Sequence, residues 1–147
     1  MKLKKNWFRR QLEEIVRLHS SPLSISAGFA AGTLIAVLPT LFIGVLLGVL
    51  TVFLFPKLNK FAVFGALALY NPFVLAPLYY LSYLIGGGLL REEVDVGLSF
   101  SLLNEAFEFT GIFLVGNAIL AVGLALLGFG VVYLISDSAQ KRRKLRK

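Results

Sequence analysis

The residues of this chain that could do chemistry are polar rather than ionisable. Thr40 follows Pro39, Asn71 precedes Pro72, and Asn117 stands alone in a long apolar run. Proline lacks a backbone N–H and blocks the bond to the carbonyl four residues back. Pro39, Pro72 and Pro77 therefore free the carbonyls of Ile35, Ala68 and Phe73. In apolar surroundings such carbonyls must be satisfied by protein, water or a ligand. Pro39, Thr40, Asn71, Pro72 and Asn117 are the expected substrate-binding residues, lining a polar cleft. A second reading stands beside this for Asn71: an Asn N-cap followed by Pro at the first helical position simply starts a helix.

The ionisable groups point to no chemistry. Glu92, Glu93 and Asp95 follow a glycine run and read as a solvated turn, because a metal needs convergent oxygen ligands. Glu105 and Glu108, three residues apart, read as the wet face of a helix, and the single His19 as a helix-end residue. With no cysteine there is no disulfide, thiol catalysis or Cys-ligated metal. Residues 23–55, 61–90 and 111–135 contain no Asp, Glu, Lys, Arg or His, which argues against a proton relay or acid–base catalysis there. No enzyme activity, metal or cofactor is expected.

The elements holding these residues follow from composition. Of 147 residues, 57% are hydrophobic and 16% charged, against about 45–50% and 25% in soluble domains. The net charge of +7 is segregated: +4 over residues 1–21, −2 over 22–135 and +5 over 136–147. An almost uncharged body between basic ends predicts an all-α, polytopic integral membrane protein forming one domain. The basic ends suit anionic lipid headgroups rather than nucleic acid. By the same bias both termini belong in the cytoplasm, which places the chain in the cell (inner) membrane with an even number of crossings.

Residues 1–21 predict an amphipathic interfacial helix, with Phe8, Leu12, Ile15 and Val16 on one face and Lys2, Arg9, Glu13 and Arg17 opposite. The uncharged residues 23–55 would make a helix about 50 Å long, against roughly 30 Å of hydrocarbon. Pro39 divides them into two halves, which predicts a hairpin or re-entrant element that returns Lys57 and Lys60 to the cytoplasm. The rival arrangement makes 23–55 one kinked crossing and 61–90 the hairpin. Asn71-Pro72 breaks 61–90, and Gly86-Gly87-Gly88 is expected to end it. Aligning Pro39 with Pro72 also aligns Gly32 with Gly65, a faint internal repeat.

Residues 98–109 predict a second surface helix, 111–135 an unbroken transmembrane helix, and 136–147 a disordered basic tail. Gly116, Gly123 and Gly130 recur every seven residues and predict a helix-packing seam, within the chain or between copies. Tyr70, Tyr79, Tyr80 and Tyr83 read as an aromatic belt, with a carbohydrate-stacking wall as the alternative.

The order Ser21-Pro22, Ala27 to Gly32, Leu38-Pro39, Asn59, Gly65, Asn71-Pro72, Pro77-Leu78-Tyr79, Leu84-Ile85-Gly86 and Val115-Gly116-Asn117 resembles the small prokaryotic membrane family catalogued as domain of unknown function 2062. The resemblance spans about residues 8–135. Some of its members are joined to glycosyltransferase domains, so the resemblance implies a cell-envelope or lipid-linked sugar context.

Two functions are expected from these features. One is binding or translocation of a lipid or lipid-linked glycan through the proline-broken cleft. The other is a non-catalytic scaffold or accessory subunit of an envelope enzyme such as a glycosyltransferase, docked through the glycine seam and basic ends. With so few spans, a homo-oligomer is expected in either case.

Overall fold

The computed structural model describes residues 21–40, 43–90 and 102–145, with side chains given for all of these except 102–109, 143 and 144. Among them are five helices and no strand: α1 Pro22–Val37, α2 Gly44–Leu54, α3 Lys60–Leu69, α4 Pro72–Leu90 and α5 Leu102–Lys144. The chain is all-α. The interfacial helix expected over 1–21, apart from Ser21, and the acidic residues 92, 93 and 95 lie outside the described residues.

Local chemistry sets the breaks. Ser21 is extended, as a residue before proline must be, and its hydroxyl accepts from the Ser24 N–H at 3.1 Å to cap α1. Leu38, before Pro39, is extended in the same way and ends α1. Asn59 caps α3 by accepting from the Ala62 N–H at 3.0 Å. Asn71 caps α4 by accepting from the N–H groups of Phe73 and Val74 at 3.0 and 3.2 Å. Pro77 sits inside α4 without ending it.

The long helix α5 is the spine on which α1 and α4 pack, while α3 packs against α1 and α2 lies more lightly on both. The close approaches give directions. Val37 of α1 meets Asn117 and Phe29 meets Gly128, so α1 runs antiparallel to α5. Ser82 meets Gly116 and Gly86 meets Ile112, so α4 is also antiparallel to α5. Gly28 meets Asn59 and Gly32 meets Val63 and Ala66, so α3 runs parallel to α1.

After α1 the chain doubles back through α2. The turn at 55–59 is tied to the start of α1, where the Asn59 N–H donates to the Ser24 carbonyl at 3.1 Å and the Ser24 hydroxyl donates to the Lys57 carbonyl at 2.5 Å. Lys57 and Lys60 therefore share an end of the bundle with the C-terminal part of α5, which carries Lys141 and Arg142. The α4–α5 pairing of Gly86 with Ile112 places Leu90 at the opposite end.

Three expectations need correction. The glycines 86–88 do not end α4, which continues to Leu90; Gly86 and Gly87 are buried, and a Cβ at Gly86 would run into the Ile112 carbonyl. These glycines permit contact rather than stop a helix. Residues 102–109 and 111–135 are one helix, and it continues through most of the expected disordered tail to Lys144. No Pro or Gly interrupts 131–147, and Asp137 pairs with Lys141 one turn on at 2.8 Å, in the favoured acid-before-base order. Gly32 packs against α3, whereas Gly65 faces open space, so their alignment in sequence is not an equivalence in packing.

Pro72–Leu90 and Thr110–Arg142 are long and apolar enough to cross a membrane. Large apolar side chains also face outward, from Phe73 at 90% exposure to Leu126 and Leu127 on α5.

Candidate polar site at the crossing of three helices

Among the described residues, four polar side chains are buried in this apolar interior: Ser26, Thr33, Ser82 and Asn117. Ser26 is satisfied within α1, its hydroxyl donating to the Pro22 carbonyl at 2.8 Å. Ser82 and Asn117 mark a node where α1, α4 and α5 meet, while Thr33 lies further along the α1–α5 seam, near Gly128.

The node begins with the end of α1. Pro39 cannot donate to the Ile35 carbonyl, and the Thr40 hydroxyl does so instead at 3.2 Å. The Leu38 N–H still reaches Leu34 at 3.1 Å. The Val37 carbonyl lies in the last turn, where helix carbonyls lose their partners. It accepts from Asn117 Nδ2 at 3.1 Å, a bond linking residues eighty positions apart. The same Nδ2 donates to the Ser82 hydroxyl oxygen at 3.2 Å, and that hydroxyl donates to the Leu78 carbonyl at 2.8 Å. Asn117 thus ties the broken end of α1 to α4.

Asn117 is fully buried, and its Oδ1 has no hydrogen-bond partner. Thr33, one turn before Val37 on α1, is also fully buried with an unpartnered Oγ1. An unsatisfied buried polar group costs about 1–3 kcal/mol. Two such groups lie along one helix seam, at a place where most folds complete their bonding.

The structure divides the expected binding residues. Pro39 and Thr40 are half-buried at the end of α1, next to the residue held by Asn117. Asn71 and Pro72 are exposed at the start of α4, and the Asn71 Oδ1 is occupied by its cap bonds. Ser82 and Thr33 escaped the sequence reading. Ser82 is the lone serine or threonine between residues 81 and 90, and that was the available signal. Thr33 offered no signal beyond its place beside Gly32.

The expected glycine seam is also divided. A Cβ at Gly116 would strike the Ser82 carbonyl, so this glycine is where α4 and α5 touch. Gly123 and Gly130 have open space where a Cβ would go. They lie close to Gly116 around the helix, but α4 crosses α5 from Gly116 towards Ile112 and leaves the lower part of that flank uncovered. The seam with α1 runs instead past Asn117 and Gly128, the latter close against Phe29. Tyr79 packs edge-on to Phe113 with ring centroids 5.3 Å apart, so this tyrosine joins α4 to α5, while Tyr80 is exposed.

Among the described residues no group of His, Asp or Glu side chains is arranged to hold a metal. Thr33, Thr40, Ser82 and Asn117 supply hydroxyls and amides and no titratable group. They can orient or select a polar group but have no means of moving a proton at neutral pH.

A family of uncharacterized proteins conserved in bacteria, domain of unknown function 2062, matches residues 5–145. The chain belongs to this family. No curated protein and no solved structure matches it. The family match covers all five helices, so the Asn117 node lies within the family domain.

Proposed function

We propose that this member of the family is a small multi-pass protein of the cell (inner) membrane that binds or translocates a lipid or lipid-linked glycan. It is not an enzyme on this reading. The observation that carries it is the unpartnered Asn117 Oδ1, buried in an uncharged body beside the proline-broken end of α1. Interrupted apolar helices with freed polar groups are what transporter sites are built from.

In the membrane, α1 and α2 form a re-entrant hairpin whose turn carries Lys57 and Lys60 back to the cytoplasmic face. What supports this is the bonding of that turn to the start of α1, on the same end as the basic C-terminal turns of α5. Both termini are then cytoplasmic, and α4 and α5 are the crossings. The basic ends hold anionic headgroups.

A scaffold role is the second reading, favoured by the uncovered flank of α5 at Gly123 and Gly130. A second copy on that flank makes a homo-oligomer; an envelope glycosyltransferase there makes an accessory subunit.

Native mass spectrometry of the full chain released from lipid nanodiscs separates the readings. Lipid retained by the wild type and lost in Asn117→Ala is expected. Absence of any retained lipid, together with an unchanged growth phenotype for Asn71→Ala and Asn117→Ala, overturns lipid binding. Crosslinks to a membrane enzyme from Gly123→Cys would then support the scaffold.

A further inference from the structure

The joint between α3 and α4 is a break that the described helices leave uncovered. Pro72 cannot donate to the Ala68 carbonyl, so the last turn of α3 ends on a freed acceptor. Asn71 Oδ1 is taken by the Phe73 and Val74 N–H groups, but its Nδ2 donates to nothing among the described residues. Ala68, Asn71 and Pro72 are exposed, with Leu69 at 53% and Phe73 at 90% beside them. Packing explains the gap. α3 rests on α1 and α2, whereas α4 packs on α5, so the joint between them has no helix over it.

Depth makes this exposure costly. α3 starts at the turn carrying Lys57 and Lys60, and its ten residues take the joint about 15 Å from that basic end, into the hydrocarbon. Non-helical backbone at such depth is stable only against protein or in a water-filled cavity. Water suits this joint poorly, because Leu69, Phe73 and Val74 rim it. Lipid tails offer neither donors nor acceptors. A second copy of the same surface offers both, since each joint has amide N–H groups to give and a carbonyl to receive them. A two-fold contact sets the same patch on both sides and satisfies both copies at once. Gly65, one turn before Leu69 on α3, has nothing within 4 Å of where a Cβ would stand, which lets the two backbones come close. The flank of α5 at Gly123 and Gly130 is regular helix and leaves no backbone group to satisfy.

Resting on the membrane placement above, we propose that the chain forms a two-fold dimer through the α3–α4 joint, Asn71 Nδ2 of each copy donating to the partner's Ala68 carbonyl. The chain has no cysteine, so one introduced thiol reports one position. Phe73→Cys and Leu69→Cys are compared with Leu127→Cys, exposed on the α5 flank, in the full chain in native membranes under mild oxidation. Disulfide-linked dimers are expected from the joint variants and not from Leu127→Cys. Dimers are then counted by single-molecule photobleaching in vesicles of phosphatidylethanolamine and phosphatidylglycerol. Asn71→Ser keeps a capping hydroxyl but loses the amide, and is expected to weaken dimerisation about fivefold.

Monomers at every protein-to-lipid ratio overturn the dimer, as does crosslinking through Leu127→Cys rather than through the joint. Dimerisation of Asn71→Ser equal to that of the wild type overturns the bond assigned to Asn71. Labelling of Phe73→Cys by a membrane-impermeant maleimide shows water over the joint and overturns the proposal too. Each of these results leaves the membrane placement standing. Release of the chain from membranes by alkaline carbonate overturns that placement, and the dimer with it.

Discussion

The two seams of α5 are built differently. Against α4, glycine meets backbone: Gly116 lies on the Ser82 carbonyl and Gly86 on that of Ile112, with the Tyr79–Phe113 ring contact alongside. The glycine contacts there are van der Waals contacts that let the two backbones approach closely, and one hydrogen bond crosses beside them, from Asn117 Nδ2 to the Ser82 hydroxyl. Against α1 the seam holds a Thr and an Asn, each fully buried and each with an unpartnered oxygen. The first seam is complete in itself. The second is held by the Asn117 bond to Val37 and still lacks a donor. In one small bundle, one crossing is fastened mainly by close packing, while the other leaves polar groups without partners.

Substitutions break this comparison from the strongest effect downward. Gly116→Ala pushes a methyl into the Ser82 carbonyl and is expected to destabilise by about 2 kcal/mol or more, read as thermal unfolding in mild detergent. Gly123→Ala, on the same flank but in open space, is expected to be slightly stabilising through helix propensity alone. Equal effects at the two sites would show that the α4 contact is not where the fold is fastened. Asn117→Ala strips the donor from Val37 and Ser82 while removing the orphaned oxygen, and a loss of about 2 kcal/mol is expected. Asn71→Ala removes only the α4 cap, with an expected cost of about 1 kcal/mol. Thr33→Val, measured without added lipid, is expected to be neutral or slightly stabilising, because it replaces an unsatisfied hydroxyl by a methyl. A clear destabilisation by Thr33→Val in that assay would mean that the α1 seam is as complete as the α4 seam.

Much of the fold was legible along the chain because it is set by local chemistry. Ser21-Pro22, Leu38-Pro39 and Asn71-Pro72 mark helix starts and stops through the conformation of the residue before proline, the capping side chain and the missing N–H. The freed Ile35 carbonyl was also legible, and the Thr40 hydroxyl beside it donates to it. Glycine was harder to read. The same residue type ends helices and admits close neighbours, and only the neighbour's position separates Gly86 from a stop or Gly116 from Gly123. The candidate site was partly legible. Asn117 stood out as the single amide in residues 111–135, whereas Thr33 and Ser82 acquire their meaning from helices that are far away in sequence.

The amino-acid sequence by itself determined the all-α class, the breaks at Pro39 and Asn71-Pro72, and the absence of Asp, Glu, Lys, Arg and His from residues 23–55, 61–90 and 111–135, because charge placement and proline geometry act within a few residues. The tertiary structure alone decided which carbonyl Asn117 would hold, which glycine would be pressed against a neighbour, and which two buried oxygens would be left without a donor. Those depend on where α1 and α4 cross α5, and crossing positions arise from close packing over the whole bundle rather than from any one segment.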